Sequence, residues 1–186
     1  EAHGDQHGIA TSNNNIGAVY MIQGQWDAAS ECYEKSLNIR RELGDQHGIA
    51  STLSNLAQLS VNLNDPLRAI ELYEESLAIR TAINDQASIA HSLMAIGSLY
   101  SQLEDYSKAE PYLLRSLEIN HALDIKTQHA ETLLELSYIK AMRNRSMPDE
   151  TFYQALEQSQ AISSNLNIDI AIKRFSQILI HIGKPL

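Results

Sequence analysis

The chain has 186 residues, 44% of them apolar and 20% charged, enough length and apolar content to bury a core. Its formal net charge of −9 argues against nucleic acid, whose phosphates need clustered Lys and Arg, and disfavours an anionic membrane surface. Cys32 is the only cysteine, no apolar run approaches the roughly 20 residues that span a bilayer, and no signal peptide is visible. These features exclude an internal disulfide and lead to the expectation of a cytoplasmic protein without a membrane span.

In chain order the first feature is a repeat. Gly4-Asp5-Gln6-His7-Gly8-Ile9-Ala10 recurs residue for residue from Gly44 to Ala50. A third copy runs from Asn84 to Ala90, and a worn fourth begins near Asp124. This 40-residue period signals stacked supersecondary units, each touching mainly its neighbours. Glu1-Ala2-His3 occupies the positions of Arg41-Glu42-Leu43, so residues 1–4 read as the tail of an earlier unit and the chain as a piece of a longer protein. Repeats then fall at 5–44, 45–84 and 85–124, with a divergent one at 125–165 and a capping helix at 166–186.

Each repeat reads as two helices. In the second, Ile49, Leu53, Leu56, Ala57, Leu59 and Leu63 give one amphipathic helix. Asn64-Asp65-Pro66 breaks it, with Asp65 as cap and Pro66 in the first turn of the next. Leu67, Ala69, Ile70, Tyr73 and Leu77 then form the second stripe. Gly17, Ala57, Gly97 and Ser137 stand 40 apart, as do Ala29, Ala69 and Ala109, where paired helices must approach closely. Tyr20, Tyr100, Tyr33 and Tyr73 read as the large residues set opposite the small ones. No segment alternates like a strand, so the fold class is all-α.

These residues carry a resemblance. Ile16-Gly17-x-x-Tyr20 with Ala29, Tyr33 and Ser36 is similar to the tetratricopeptide repeat signature. The match recurs at Leu56-Ala57, Ala69, Tyr73 and Ser76, and at Ile96-Gly97-x-x-Tyr100, Ala109, Leu113 and Ser116. The usual unit is about 34 residues. The longer form here resembles partner-of-inscuteable scaffolds, kinesin light chains and the arrays of bacterial signalling proteins. The resemblance implies a right-handed superhelix of antiparallel helix pairs, closed by a C-terminal capping helix, with the first helix of each pair lining a concave groove.

Charge is partitioned by helix. Residues 8–24 and 48–64 contain no Asp, Glu, Lys or Arg, and 87–103 offers only His91 as a titratable group of basic type. The second helices carry Asp27, Glu31, Glu34, Lys35, Arg40 and Arg41 in one repeat, and Asp65, Arg68, Glu71, Glu74, Glu75 and Arg80 in the next, as a solvated outer face would. Transferring the family's groove phase gives Asn14, Ala18 and Met21, then Ser54, Gln58 and Val61. Further along it gives His91, Met94, Ser98 and Ser101, and finally Glu131, Leu134, Tyr138 and Met142. Such amide, hydroxyl and thioether groups either bind an extended peptide or are simply tolerated surface. The basic residues of a carboxylate clamp, and the arginines that hold acidic peptides, are missing from the first three units.

The fourth repeat departs from the pattern at Ser137, Lys140 and residues 143–148, and its second helix, through Phe152, Tyr153 and Leu156, is expected about one residue out of register. The final segment is amphipathic through Ile168, Ala171, Ile172, Phe175, Leu179 and Ile182. Ile170, Ile178 and Ile180 lie off that stripe. Either the buried stripe is wide or these residues make an oligomer contact, including a homodimer.

No catalytic constellation emerges. Seven histidines invite a metal, but there is no HExxH motif and no cysteine cluster. His7 and His47 repeat one position and read as turn or capping residues. His3 and His7 have i,i+4 spacing, but Gly4-Asp5 is expected to break the helix between them. Glu74-Glu75 lies on the charged face, Cys32 in an apolar phase, and no nucleophile elbow or phosphate loop is present. The expectation is a non-enzymatic binding module without cofactor or metal, taking a protein or peptide, extended or equally helical, in its groove, as part of a larger scaffold or signalling protein. The alternative is a regulatory or oligomerisation segment packing on an output domain through its C-terminal helix.

Overall fold

The computed structural model describes residues 2–161 and 165–183, and the side chains of 6–161 and 167–183. Nine helices occupy the described residues: α1 Ala2–Ile22, α2 Trp26–Leu43, α3 Gln46–Asn62, α4 Pro66–Ala82, α5 Gln86–Gln102, α6 Tyr106–Ala122, α7 Lys126–Asn144, α8 Glu150–Ala161 and α9 Asn165–His181. No strand occurs among them. The chain divides into two compact units, residues 1–92 and 93–186, with the division inside α5. The expected all-α succession of helix pairs is present in both.

The turns follow a shorter rhythm than the sequence. Gly24, Gly44, Asn64, Asn84, Glu104 and Asp124 each adopt a left-handed conformation, at φ between 53° and 72°. The residue after each donates its N–H to a carbonyl five residues back, as Asp45 does to Arg40 O and Asp65 to Ser60 O, the bond that closes a Schellman turn. That residue also opens the next helix: Asp45, Asp65, Asp85 and Asp105 cap the N–H of Gly48, Arg68, Ser88 and Lys108. Pro66 fills the first helical turn, as its fixed φ and missing N–H favour.

In the first unit the close approaches fall where small residues recur. A Cβ on Gly17 would stand 2.8 Å from the ring of Tyr33, so the aromatic occupies the space the glycine leaves. Ala29, Ala57 and Ala69 are fully buried. Ser36 Oγ donates to Ala10 O and Ser76 Oγ to Ala50 O, both at 2.8 Å, stapling the second helix of each pair to its first. In the second unit a Cβ on Gly97 would lie 2.6 Å from Leu113 Cγ. Met94, Ala109, Leu113, Tyr138, Ile139, Ala141 and Ile178 form a buried cluster there.

Several expectations need correction. Gly4-Asp5 does not break α1, which runs unbroken from Ala2; the side chain of His3 lies outside the described residues. His7 is an exposed helical residue 3.9 Å from Asp45 Oδ2, not a turn residue. Leu67, placed on the α4 stripe, is 64% exposed. Arg40 and Arg80, assigned to the solvated face, are each 8% exposed. They stand in the last turn of their helices, where a long side chain reaches over the small residue that opens the next. Arg80 Nη1 donates to Ser88 O at 2.9 Å and to Ser92 Oγ at 2.7 Å.

The fourth repeat slips further than its sequence suggests. Helix α8 begins 44 residues after α6, four beyond the period, because α7 is two residues longer than α5 and the loop 145–149, which turns at Arg145, is two longer than 103–105. Asp149 fixes the loop: it accepts from Lys140 Nζ, and from Ser137 Oγ at 3.2 Å. The junction at 162–164, where the fourth repeat meets the terminal helix, lies outside the described residues.

Candidate functional site

The charge-free first helices α1 and α3 present amides and hydroxyls in the first unit. Asn14, half-buried on α1, accepts at Oδ1 from Asn55 Nδ2 at 2.9 Å and from Thr52 Oγ1 at 3.5 Å. These bonds fix the Asn14 carbonyl towards α3. Gln58 is exposed, and Ala18, Met21 and Val61 are half-buried. Ser54 is committed internally, its Oγ bonding Ala50 O and Ser76 Oγ at 3.1 and 3.0 Å. Met21 receives the Tyr33 hydroxyl at 3.9 Å on its sulfur. His91 is exposed, and its partial removal from water, followed by the Arg80 guanidinium, lowers its pKa below the usual histidine value.

The second unit treats the same helical phase differently. Ser98 is half-buried. Met94, Ser101, Leu134 and Tyr138 have relative exposures of 8, 2, 0 and 6% and belong to the interior, not to an open surface. Leu134 packs with Phe152, Ala155 and Ala171 of the last two helices. Of the residues named on α9, Ile178 is fully buried, Ile170 packs on the Leu134 cluster, and Ile180 is 65% exposed. Ile172, expected on the buried stripe, is 60% exposed, because the described face is set by Ala171, Arg174 and Ile178 instead.

Arg174 is the group the sequence reading passed over. Its Nε donates to Glu135 Oε1 at 3.0 Å, its Nη2 reaches the same oxygen, and Nη1 donates to Gln177 Oε1 at 3.1 Å. The guanidinium carbon lies 4.2 Å from the centre of the Tyr138 ring. Both charged side chains are nearly inaccessible to solvent. Burial, which outweighs the attraction of Arg174, raises the Glu135 carboxyl above its ordinary value, and burial followed by Glu135 raises Glu131. Tyr106 is pushed up to about 12, by burial first and then by Tyr138. A signal for this site was present: counting the groove phase one period beyond Leu134 lands on Arg174.

A separate cavity of about 440 Å³ opens among α6, α7 and α8 in the second unit, lined by Asn120, His121, Asp124, Lys126, His129 and Gln158. The His121 and His129 ring centres are 5.8 Å apart, and His129 Nδ1 lies 3.3 Å from Gln158 Oε1. Among the described residues no group of three or more His, Cys, Asp or Glu side chains is placed to hold a metal ion, and no helix is long and apolar enough to cross a membrane.

Comparisons with known proteins fit this geometry. Aspartyl phosphate phosphatase F from Bacillus subtilis superposes with a TM-score of 0.81 at 14% identity, covering 94% of this chain. This chain spans 46% of that protein's length. The apo form of RapI gives 0.77 at 22% identity, covering 91% of this chain and 68% of its own. A putative kinesin light chain from Podosopora anserina, with nearly identical TPR-like repeats, gives 0.65 at 17% identity over 93% of this chain and 86% of its own. No curated protein matches the chain in sequence. The tetratricopeptide repeat family model matches residues 8–82 and 61–122, more than half of the chain. With its helix pairs, small-residue contacts and recurrent caps, the chain belongs to the tetratricopeptide repeat family.

Proposed function

We propose that this chain is a protein–protein interaction module whose first helices hold a neutral, extended peptide segment of a partner. The observation that carries the proposal is the amide surface of the first unit. Residues 8–24 and 48–64 are free of acidic and basic side chains, Gln58 is exposed, and Asn14 and Asn55 are linked across neighbouring first helices. Amides offer both a donor and an acceptor, which suits the alternating N–H and C=O groups of an extended backbone. Ala18 leaves room for the ligand, while Met21 and Val61 supply adaptable apolar contact. Met94, Leu134 and Tyr138 support the second unit from inside and are not contact residues in this reading.

The test is selection of peptides from a displayed random library against the whole chain, followed by Kd measurement on Gln58→Glu and Ala18→Glu. Both variants should weaken binding of the selected peptides by at least about tenfold, about 1.4 kcal/mol, with unchanged helicity. Unchanged Kd values in both would overturn the assignment.

A second reading rests on a different observation. Helices α8 and α9 form an apolar cleft of about 260 Å³ lined by Phe152, Tyr153, Leu156, Ala171, Ile172 and Phe175. Ile172 and Tyr153, which line it, are exposed, as is Ile180 further along α9. This surface suits self-association or packing on a further domain. Sedimentation separates the two readings: a dimer made monomeric by Ile172→Glu or Ile180→Glu favours the second, and a monomer that keeps its peptide ligand favours the first.

A further inference from the structure

Arg40 and Arg80 lie largely out of water in the last turns of α2 and α4. Arg80 Nη1 donates to Ser88 O at 2.9 Å and to Ser92 Oγ at 2.7 Å, so the guanidinium serves acceptors of the next helix. One period later the residue is Asn120, which is shorter and carries no charge. Asp45 and Asp85, the caps of the following helices, give way to Ile125, and the buried Ile49 and Ile89 give way to His129. These three departures from the repeat fall together in space. Asn120, Ile125 and His129 all line the 440 Å³ cavity among α6, α7 and α8.

The cavity has acceptors without donors. Asn120 is fully buried and forms its floor; Nδ2 donates to Ser116 Oγ at 3.2 Å, while Oδ1 meets no donor among the described residues. Gln128 Oε1, from the residue one period after Ser88, is likewise buried without a donor. Buried oxygens left unpaired are costly, and a ligand that donates to them recovers that cost. Asp124 places a carboxylate at the exposed mouth, one residue before the lost cap. The rings of His121 and His129 stand beside it with their centres 5.8 Å apart. Lys126, also in the lining, is turned to Asp124 at 3.9 Å.

We propose that this cavity receives an arginine side chain of a partner protein, whose guanidinium replaces the one that the third repeat lacks. A guanidinium brings five N–H donors in a plane, which suits an unpaired oxygen on the floor, a carboxylate at the mouth and imidazole faces beside it. An ammonium group has no flat surface to lay on the rings. The start of α7 has no side-chain cap and by itself suits an anion, but an anion would meet Asp124 and the unpaired oxygens. The net charge of −9 also draws a cation, which displaces Lys126 from Asp124. This site is separate from the neutral surface of α1 and α3, and neither assignment depends on the other.

The experiment titrates the whole chain with acetyl-Ala-Arg-Ala-amide, its citrulline and lysine counterparts, and inorganic phosphate. Binding is followed by NMR on the imidazole protons of His121 and His129. The arginine peptide should shift both signals saturably and bind at least about tenfold more tightly than the citrulline or lysine peptide. Asn120→Arg restores a resident guanidinium and should abolish binding, whereas Gln58→Glu should leave it unchanged. Asp124→Asn should weaken binding about threefold. Asn readily adopts the left-handed conformation of residue 124, so this variant tests the site even where Asn120→Arg does not fold. No saturable shift up to about 10 mM arginine peptide overturns the proposal. So does equal binding of the citrulline or lysine peptide, tighter binding of phosphate, or unchanged binding in Asp124→Asn or in folded Asn120→Arg.

Discussion

Gly97 and Gly8 are both helical glycines, and their surroundings predict opposite responses to the same substitution. Gly97→Ala forces a methyl into Leu113 and should destabilise the chain by about 1–3 kcal/mol, read from urea unfolding. Gly8→Ala meets open space and should stabilise by about 0.5–1 kcal/mol. Glu104 holds a left-handed conformation, at φ 60°, that its two predecessors in the same turn series, Asn64 and Asn84, adopt more readily. Glu104→Gly should therefore raise stability by about 0.5–1 kcal/mol in the same assay. Tyr106 gives a pH signature. Its folded pKa of about 12 lies above the ordinary 10.0, so the protonated phenol is favoured by folding. That contribution is complete below pH 10 and is lost as the pH rises towards 12; Tyr106→Phe should flatten this alkaline decline in thermal stability.

At the scale of helices, the pairing of α7 with α9 depends on Glu135 and Arg174. Removing one partner leaves a buried charge alone, so Arg174→Met should cost about 3–5 kcal/mol, and adding Glu135→Leu should recover much of the loss. The pH dependence has a definite sign. The folded carboxyl of Glu135 is raised, so its contribution is fullest below the unfolded carboxylate pKa and falls as pH rises through the folded value. Glu135→Gln should remove that decline. The sequence made the pairing of helices within repeats legible, because Gly17, Ala29 and Tyr33 mark a contact by size alone. It also marked Asn14 and Gln58 as uncharged surface. Arg40, Arg80 and Arg174 were illegible by charge pattern, since a long side chain can leave a polar face and bury its guanidinium elsewhere. Met94, Leu134 and Tyr138 failed for the converse reason: helical phase gives a direction, and neighbouring helices decide whether that direction is open.

For the molecule as a whole, the neutral first helices make an ionic-strength prediction despite the net charge of −9. Kd for a neutral selected peptide should change by less than about threefold between 50 and 500 mM NaCl, because screening acts on charge pairs and the proposed contacts contain none. Titration calorimetry across that range checks it. The recurring left-handed turns carry a different consequence. They arrive every 20 residues, whereas the pattern of small, aromatic and charged positions returns only every 40. The backbone thus keeps two reading frames, and the turns cannot tell a neutral helix from a charged one. Removing residues 45–84 preserves both frames and should leave a cooperatively melting chain. Removing 45–64 preserves the turns alone and sets a charged helix where a neutral one belongs. Growth and loss of such an array are confined to whole pairs, although its joints would accept halves.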